Sequence, residues 1–97
     1  MIHYKFDWDD EKARLNERKH GITFREATSC FLDVFAIESF DVIHSTDEDR
    51  LVLSGISDRG RVLVVAFTLR GDAIIRIISA RKALRKERIE YERQAYF

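Results

Sequence analysis

Arg76 stands in the run Ile74-Ile75-Arg76-Ile77-Ile78, one cation among four isoleucines. In an extended strand it shares a face with Ile74 and Ile78. A charge so placed must be paired or must look into a groove, because burying it alone is costly. Arg70, on the preceding apolar run, shares parity with Thr68, Ala66 and Val64. Arg81 follows Ser79 and Ala80, and the pattern puts it in the first turn of a helix. A cation there opposes the helix dipole, so an anionic ligand would account for the placement. Arginines gathered this way suit a phosphate; the competing reading is a structural ion pair, for example Arg76 with Glu48 or Glu87.

Two further groups carry titratable side chains. Lys19-His20-Gly21 reads as a helix end, where cations are favoured on dipole grounds alone; facing the arginines, Lys19 would contact phosphate and His20 would move a proton near neutral pH. His44-Ser45-Thr46-Asp47-Glu48-Asp49-Arg50 offers Glu48 as a general base and His44 as base or acid, against the plainer reading of a solvated loop. No Gly-x-Ser-x-Gly elbow is present. His3, His20 and His44 are scattered without HExxH or carboxylate-cluster spacing, so neither a metal nor another cofactor is expected. Gly55, Gly60 and Gly71 fit strand or turn roles rather than a phosphate loop.

These residues must be positioned by a small body. The chain has 97 residues, the size of one domain over 1–97, and folding at this size buries roughly 60–65% of the unfolded surface. A surface groove is the expected working site. Seventeen basic residues balance seventeen acidic ones, for a net charge of zero; that argues against a polycation coating nucleic acid. Charge is segregated all the same: Asp41, Asp47, Glu48 and Asp49 cluster without a cation, and residues 76–93 are rich in Arg and Lys. Cys30 is the single cysteine, which fits a reducing compartment. The polar N-terminus and the short apolar runs predict a soluble, cytoplasmic chain with no membrane partner.

The elements follow from periodicity and punctuation. His3–Trp8 alternates as a strand. Asp9, Asp10 and Glu11 open a helix that runs to Lys19 or His20, closed by Gly21. Thr23-Phe24-Arg25-Glu26 is a capping box for a helix over Phe24–Leu32. Ala36–His44, Leu51–Ser57, Val62–Leu69 and Ala73–Ile78 are strands, the last three joined by short glycine turns. Ser79 caps a final helix over Ala80–Gln94, with Ile78 and Ala83 as a hydrophobic staple and Ala80, Leu84, Tyr91 and Ala95 as its apolar stripe. Phe24, Phe31, Phe35, Phe40 and Trp8 are expected in the core, whereas Tyr91, Tyr96 and Phe97 pack on the sheet or meet a partner. The order β-α-α-β-β-β-β-α gives an α+β fold: an antiparallel sheet with helices on one face and the other face open.

Several blocks together resemble one family. Phe6-Asp7-Trp8-Asp9 with Lys12-Ala13 and Asn16, Lys19-His20-Gly21-Ile22-Thr23-Phe24 with Glu26-Ala27, and His44-Ser45 with Glu48 and Arg50 are similar to the opening and centre of BrnT-type toxins. Gly60-Arg61, Leu63-Val64-Val65, Thr68, Arg70, and Arg76-Ile77-Ile78-Ser79-Ala80-Arg81-Lys82-Ala83 with Glu87-Arg88 and Tyr91 are similar to its second half. The resemblance spans about residues 4–92. It implies a RelE-like fold and a small ribonuclease of a type II toxin–antitoxin system that inhibits translation. It implies too a BrnA-like ribbon-helix-helix antitoxin, a 2:2 complex, and operator DNA reached only through that partner. Many members carry tyrosine where this chain has Phe67, which puts a catalytic role for that position in doubt.

The first mechanism expected of such a site is metal-free RNA cleavage by a neighbouring 2′-hydroxyl. Arg70, Arg76 and Arg81 would neutralise the phosphorane, with Lys19 and Arg61 as auxiliary RNA contacts; Glu48 or His44 would act as base and His20 as acid. The alternative is a non-catalytic module that pairs with a DNA-binding partner through the acidic 41–49 segment and the terminal aromatics, and tunes operon repression.

Overall fold

Two residues past the first strand, β1 (Lys5–Asp7), Asp9 caps the first helix, α1 (Asp10–His20), by accepting from the Lys12 N–H at 3.0 Å. The computed structural model describes residues 4–41, 43 and 49–96. Acidic Asp10 and Glu11 lie in the first turn of α1 and Arg18, Lys19 and His20 in its last, both signs the dipole favours. Gly21 closes α1 at φ 71°, a left-handed conformation that suits glycine, and returns its N–H to the Glu17 carbonyl. Thr23 caps α2 (Phe24–Ser29) through the Glu26 N–H. Only that half of the capping box forms, because the Glu26 carboxylate is drawn to Arg61 instead. A 3-10 turn over Cys30–Leu32 follows.

The remaining elements are β2 (Ile37–Phe40), β3 (Leu51–Ile56), β4 (Val62–Arg70), β5 (Ile74–Lys82) and α3 (Arg85–Tyr96). Their order along the chain is the one the sequence predicts. The sheet order is β1-β5-β4-β3-β2. Strands β2 to β5 pair antiparallel, as expected; β1 departs from that pattern and joins β5 in parallel, Phe6 beside Ile75.

The boundary between the last strand and last helix differs from the sequence pattern. Ser79, Ala80 and Arg81 belong to β5, so Ser79 caps no helix and Ile78 and Ala83 form no staple. Two partners draw the strand onward. The ladder with β4 continues to Leu63 opposite Lys82, and the Ala83 N–H still bonds the Val62 carbonyl at 3.0 Å. On the other edge, beyond the end of β1, buried Asn16 stands in for a strand. Its amide nitrogen donates to the Ala80 carbonyl at 2.8 Å and its oxygen accepts from the Ala80 N–H at 3.1 Å. Helix α3 is capped from within: Glu87, its third residue, accepts from the Leu84 N–H at 2.7 Å.

The core lies on the face carrying Leu53, Val65, Phe67, Ile75, Ile77 and Ala80, covered by Ile22, Phe24, Ala27 and Cys30 from α2 and its flanks. Phe31 sits edge-on between Phe6 and Phe67, at 5.2 and 5.0 Å, and Trp8 packs on Phe24. Phe35 and Phe40 depart from expectation: both are half exposed. Gly55 is where β3 passes closest to the 3-10 turn; a Cβ there would stand 3.0 Å from the Cys30 carbonyl. Of α3 only Tyr91 is buried, its hydroxyl donating to the Asp33 carboxylate. Ala80 and exposed Leu84 therefore do not form the apolar stripe expected of this helix. Among the described residues no helix is long and apolar enough to cross a membrane.

Candidate functional site

Strand parity would put Arg76 and Arg81 on opposite faces. A β-bulge prevents this. The pairs run Thr68 with Arg76 and Phe67 with Ile77, then Ala66 with Ser79 and Val64 with Arg81, so Ile78 is the extra residue. The inserted residue flips the parity beyond it. Arg76, Ser79 and Arg81 thus join Arg70, Thr68, Ala66 and Val64 on the face opposite the core. The helix-start position expected for Arg81 is overturned; it is a strand residue, and the dipole argument for an anion beside it lapses.

The arginines differ in how firmly they are held. Arg61 donates Nε and Nη2 to Glu26 at 2.7 and 2.6 Å, and Glu26, 4% exposed, also accepts from the Ser57 hydroxyl. The Arg61 guanidinium lowers Glu26 from its ordinary carboxylate value and Glu26 in turn raises Arg61. Arg81 donates Nη1 and Nη2 to Glu87 at 2.7 and 3.0 Å, and Nη1 to the Lys82 carbonyl at 3.2 Å. The Arg81 bonds, with help from the Leu84 N–H, likewise lower Glu87. Among the described residues Arg76 makes a single side-chain bond, Nη1 to Asp7 at 2.8 Å, and Asp7 is half exposed. Glu87 is taken by Arg81 instead, and the Glu48 alternative lies outside the described residues. Exposed single-point pairs are worth about 0–1 kcal/mol, so the Asp7 contact holds Arg76 weakly, whereas Arg61 is built into the fold. Arg70 ends β4 and is exposed.

The Asp41 N–H donates to the Arg50 carbonyl at 2.8 Å, and buried Thr68 donates its hydroxyl to the Asp49 carbonyl at 2.8 Å. Asp41, Arg50, Val52, Val64, Ala66, Ser79 and Arg81 enclose a groove of about 270 Å³. His44 and Glu48, the proposed bases, lie outside the described residues. Lys19 is exposed and His20 half-buried at the end of α1; among the described residues neither makes a side-chain bond to the arginine row. Phe67 is 2% exposed on the core face, away from the row. Asp7 and Ser79 were not legible as site residues, because the parallel placement of β1 and the bulge at Ile78 have no local sequence signal. No three of His, Cys, Asp or Glu gather as a metal site among the described residues.

A largely antiparallel five-stranded sheet, helices on one face and arginines along the other, defines a small α+β fold with an open sheet face. Its family follows from the sequence over residues 8–87, which match the model for the ribonuclease toxin BrnT of type II toxin–antitoxin systems. The chain belongs to that family. The fold is similar to the crystal structure of the Brucella abortus ribonuclease toxin BrnT, with a TM-score of 0.61 and 25% identity, covering 86% of this chain and 100% of that one. No curated protein matches the chain.

Proposed function

We propose that this family member, acting as one domain, is a metal-independent endoribonuclease that arrests translation in the cytoplasm. The observation that carries the reading is the row of Arg70, Arg76 and Arg81 on the open face, within or beside the segment that matches a ribonuclease toxin family. In the proposed step a 2′-hydroxyl attacks the adjacent phosphorus and the 5′-oxygen leaves, giving a 2′,3′-cyclic phosphate and a free 5′-hydroxyl. Arg76 and Arg70 neutralise the charge on the phosphorane's non-bridging oxygens. Arg81, tied to Glu87, lines the groove beside them. The base is assigned to Glu48 or His44, whose segment begins and ends at Asp41 and Arg50 on the groove rim. His20, and Lys19 and Arg61 as auxiliary contacts, have weaker support: the first two close α1, and the Arg61 fork is filled by Glu26.

The neutralising partner is a BrnA-like ribbon-helix-helix antitoxin in a 2:2 complex that reaches operator DNA through the antitoxin. Half-exposed Tyr4, Phe40 and Leu69 offer apolar surface for it. Purified chain incubated with single-stranded RNA in excess EDTA is expected to yield cyclic-phosphate ends. Loss of all cleavage under chelation overturns the metal-independent step. Growth that is indifferent to expression of the lone chain would favour the non-catalytic module instead.

A further inference from the structure

Arg81 is the most firmly oriented arginine of the row, since three of its five N–H donors are engaged at its outer end. Glu87 takes Nη1 and Nη2 together, and Lys82 takes Nη1 again. Besides its Nε–H and second Nη2–H, such a guanidinium offers a flat face fixed in place by the bidentate pair. The groove it lines has an apolar floor of Val52, Val64 and Ala66 from two neighbouring strands, with Ser79 beside it. A floor of small aliphatic side chains beside a held guanidinium, with the Asp41 carboxylate also on the rim, is poorly matched to a phosphate. It matches a planar, polarisable ring, which stacks on guanidinium planes. The groove also continues directly into the ladder that carries Arg76, the loosely held cation.

We propose that this groove is a nucleobase subsite, in which one unstacked base of a single-stranded RNA lies against Arg81 over Ala66 while Arg76 holds a nearby phosphate. The inference rests on the ribonuclease reading and adds to it a base contact that divides the labour between the two arginines.

The test uses a 2′-O-methyl RNA octamer, which cannot undergo 2′-hydroxyl attack, and a set of the same octamer with one base removed at each position in turn. The intact chain is expected to lose about tenfold in affinity when one particular base is missing. In Arg81→Lys, which keeps the charge but not the plane, and in Ala66→Leu, which fills the groove, the same omission is expected to cost less than twofold. Retained sensitivity in either variant overturns the subsite. If the wild-type chain cuts RNA but its octamer binding is undetectable or indifferent to every base, the subsite alone falls. If RNA is neither cut nor bound, the ribonuclease reading falls and the subsite with it.

Discussion

Arg61, Arg76 and Arg81 show how much a residue type leaves open until its partners are known. Each is an arginine near a strand end or centre, yet one completes a buried pair, one a half-exposed clamp and one a weak surface contact. Arg76→Gln is expected to weaken RNA binding and reduce the dependence of log affinity on log salt by about 0.7, one phosphate's worth on a single strand. Arg61→Gln is expected to leave that slope unchanged and to lower the melting temperature instead, since it strands Glu26 in the interior. Phe67→Tyr should not raise the cleavage rate, because its ring points into the core beside Phe31; a rate gain would show that the hydroxyl reaches the chemistry. Arg76 was singled out in the sequence because a lone charge among isoleucines is expensive to bury. Its partner Asp7 was not, since that contact is made 69 positions away.

At the scale of elements, α1 and β5 depend on one amide. Asn16 donates to the Ile22 and Ala80 carbonyls and accepts from the Ala80 N–H, all in the interior. Asn16→Ala would leave these groups unsatisfied and is expected to cost about 2–3 kcal/mol, seen as a melting temperature lower by roughly 10 °C or more. Asn16→Asp should be worse, because a carboxylate has no donor for the two carbonyls. The acidic start of α1, the caps at Gly21 and Thr23 and the hairpins at Gly60 and Gly71 were legible because each is written within a few residues, though Asp9 proves to be the cap rather than a first-turn residue. The end of β5 was not. Ser79 followed by an Ala-Arg-Lys-rich stretch has good helix propensity, and the contacts that overrule it come from β4 and from Asn16, distant in sequence.

For the molecule as a whole, three carboxylates tie the helices to the sheet. Glu26 joins α2 to the β3–β4 turn, and Glu87 joins α3 to β5. Asp33 joins the 3-10 turn to β3 and α3; burial would raise it, but the Ile56 N–H and the Tyr91 hydroxyl outweigh that and lower it. Each has a folded value below its ordinary one, so each contributes stability that is present above the unfolded value, 4.5 for Glu26 and Glu87 and 3.8 for Asp33. That contribution is lost as pH falls through the lowered folded values. Melting temperature should therefore drop between about pH 5 and about pH 3, and Glu26→Gln, less stable at neutral pH, should show a shallower drop. An unchanged acid limb in that variant would remove Glu26 from the account.

The central claim is that Arg76, brought onto the open face with Arg70 and Arg81, stabilises the charge that develops on RNA phosphate. The most direct measurement is kcat/KM for single-stranded RNA, wild type against Arg76→Ala, in chelator, with melting temperature measured on the same samples. The account predicts a fall of about 100-fold or more with a melting temperature within a few degrees of wild type, since the Asp7 pair contributes little to stability. Equal rates in the two proteins would contradict it.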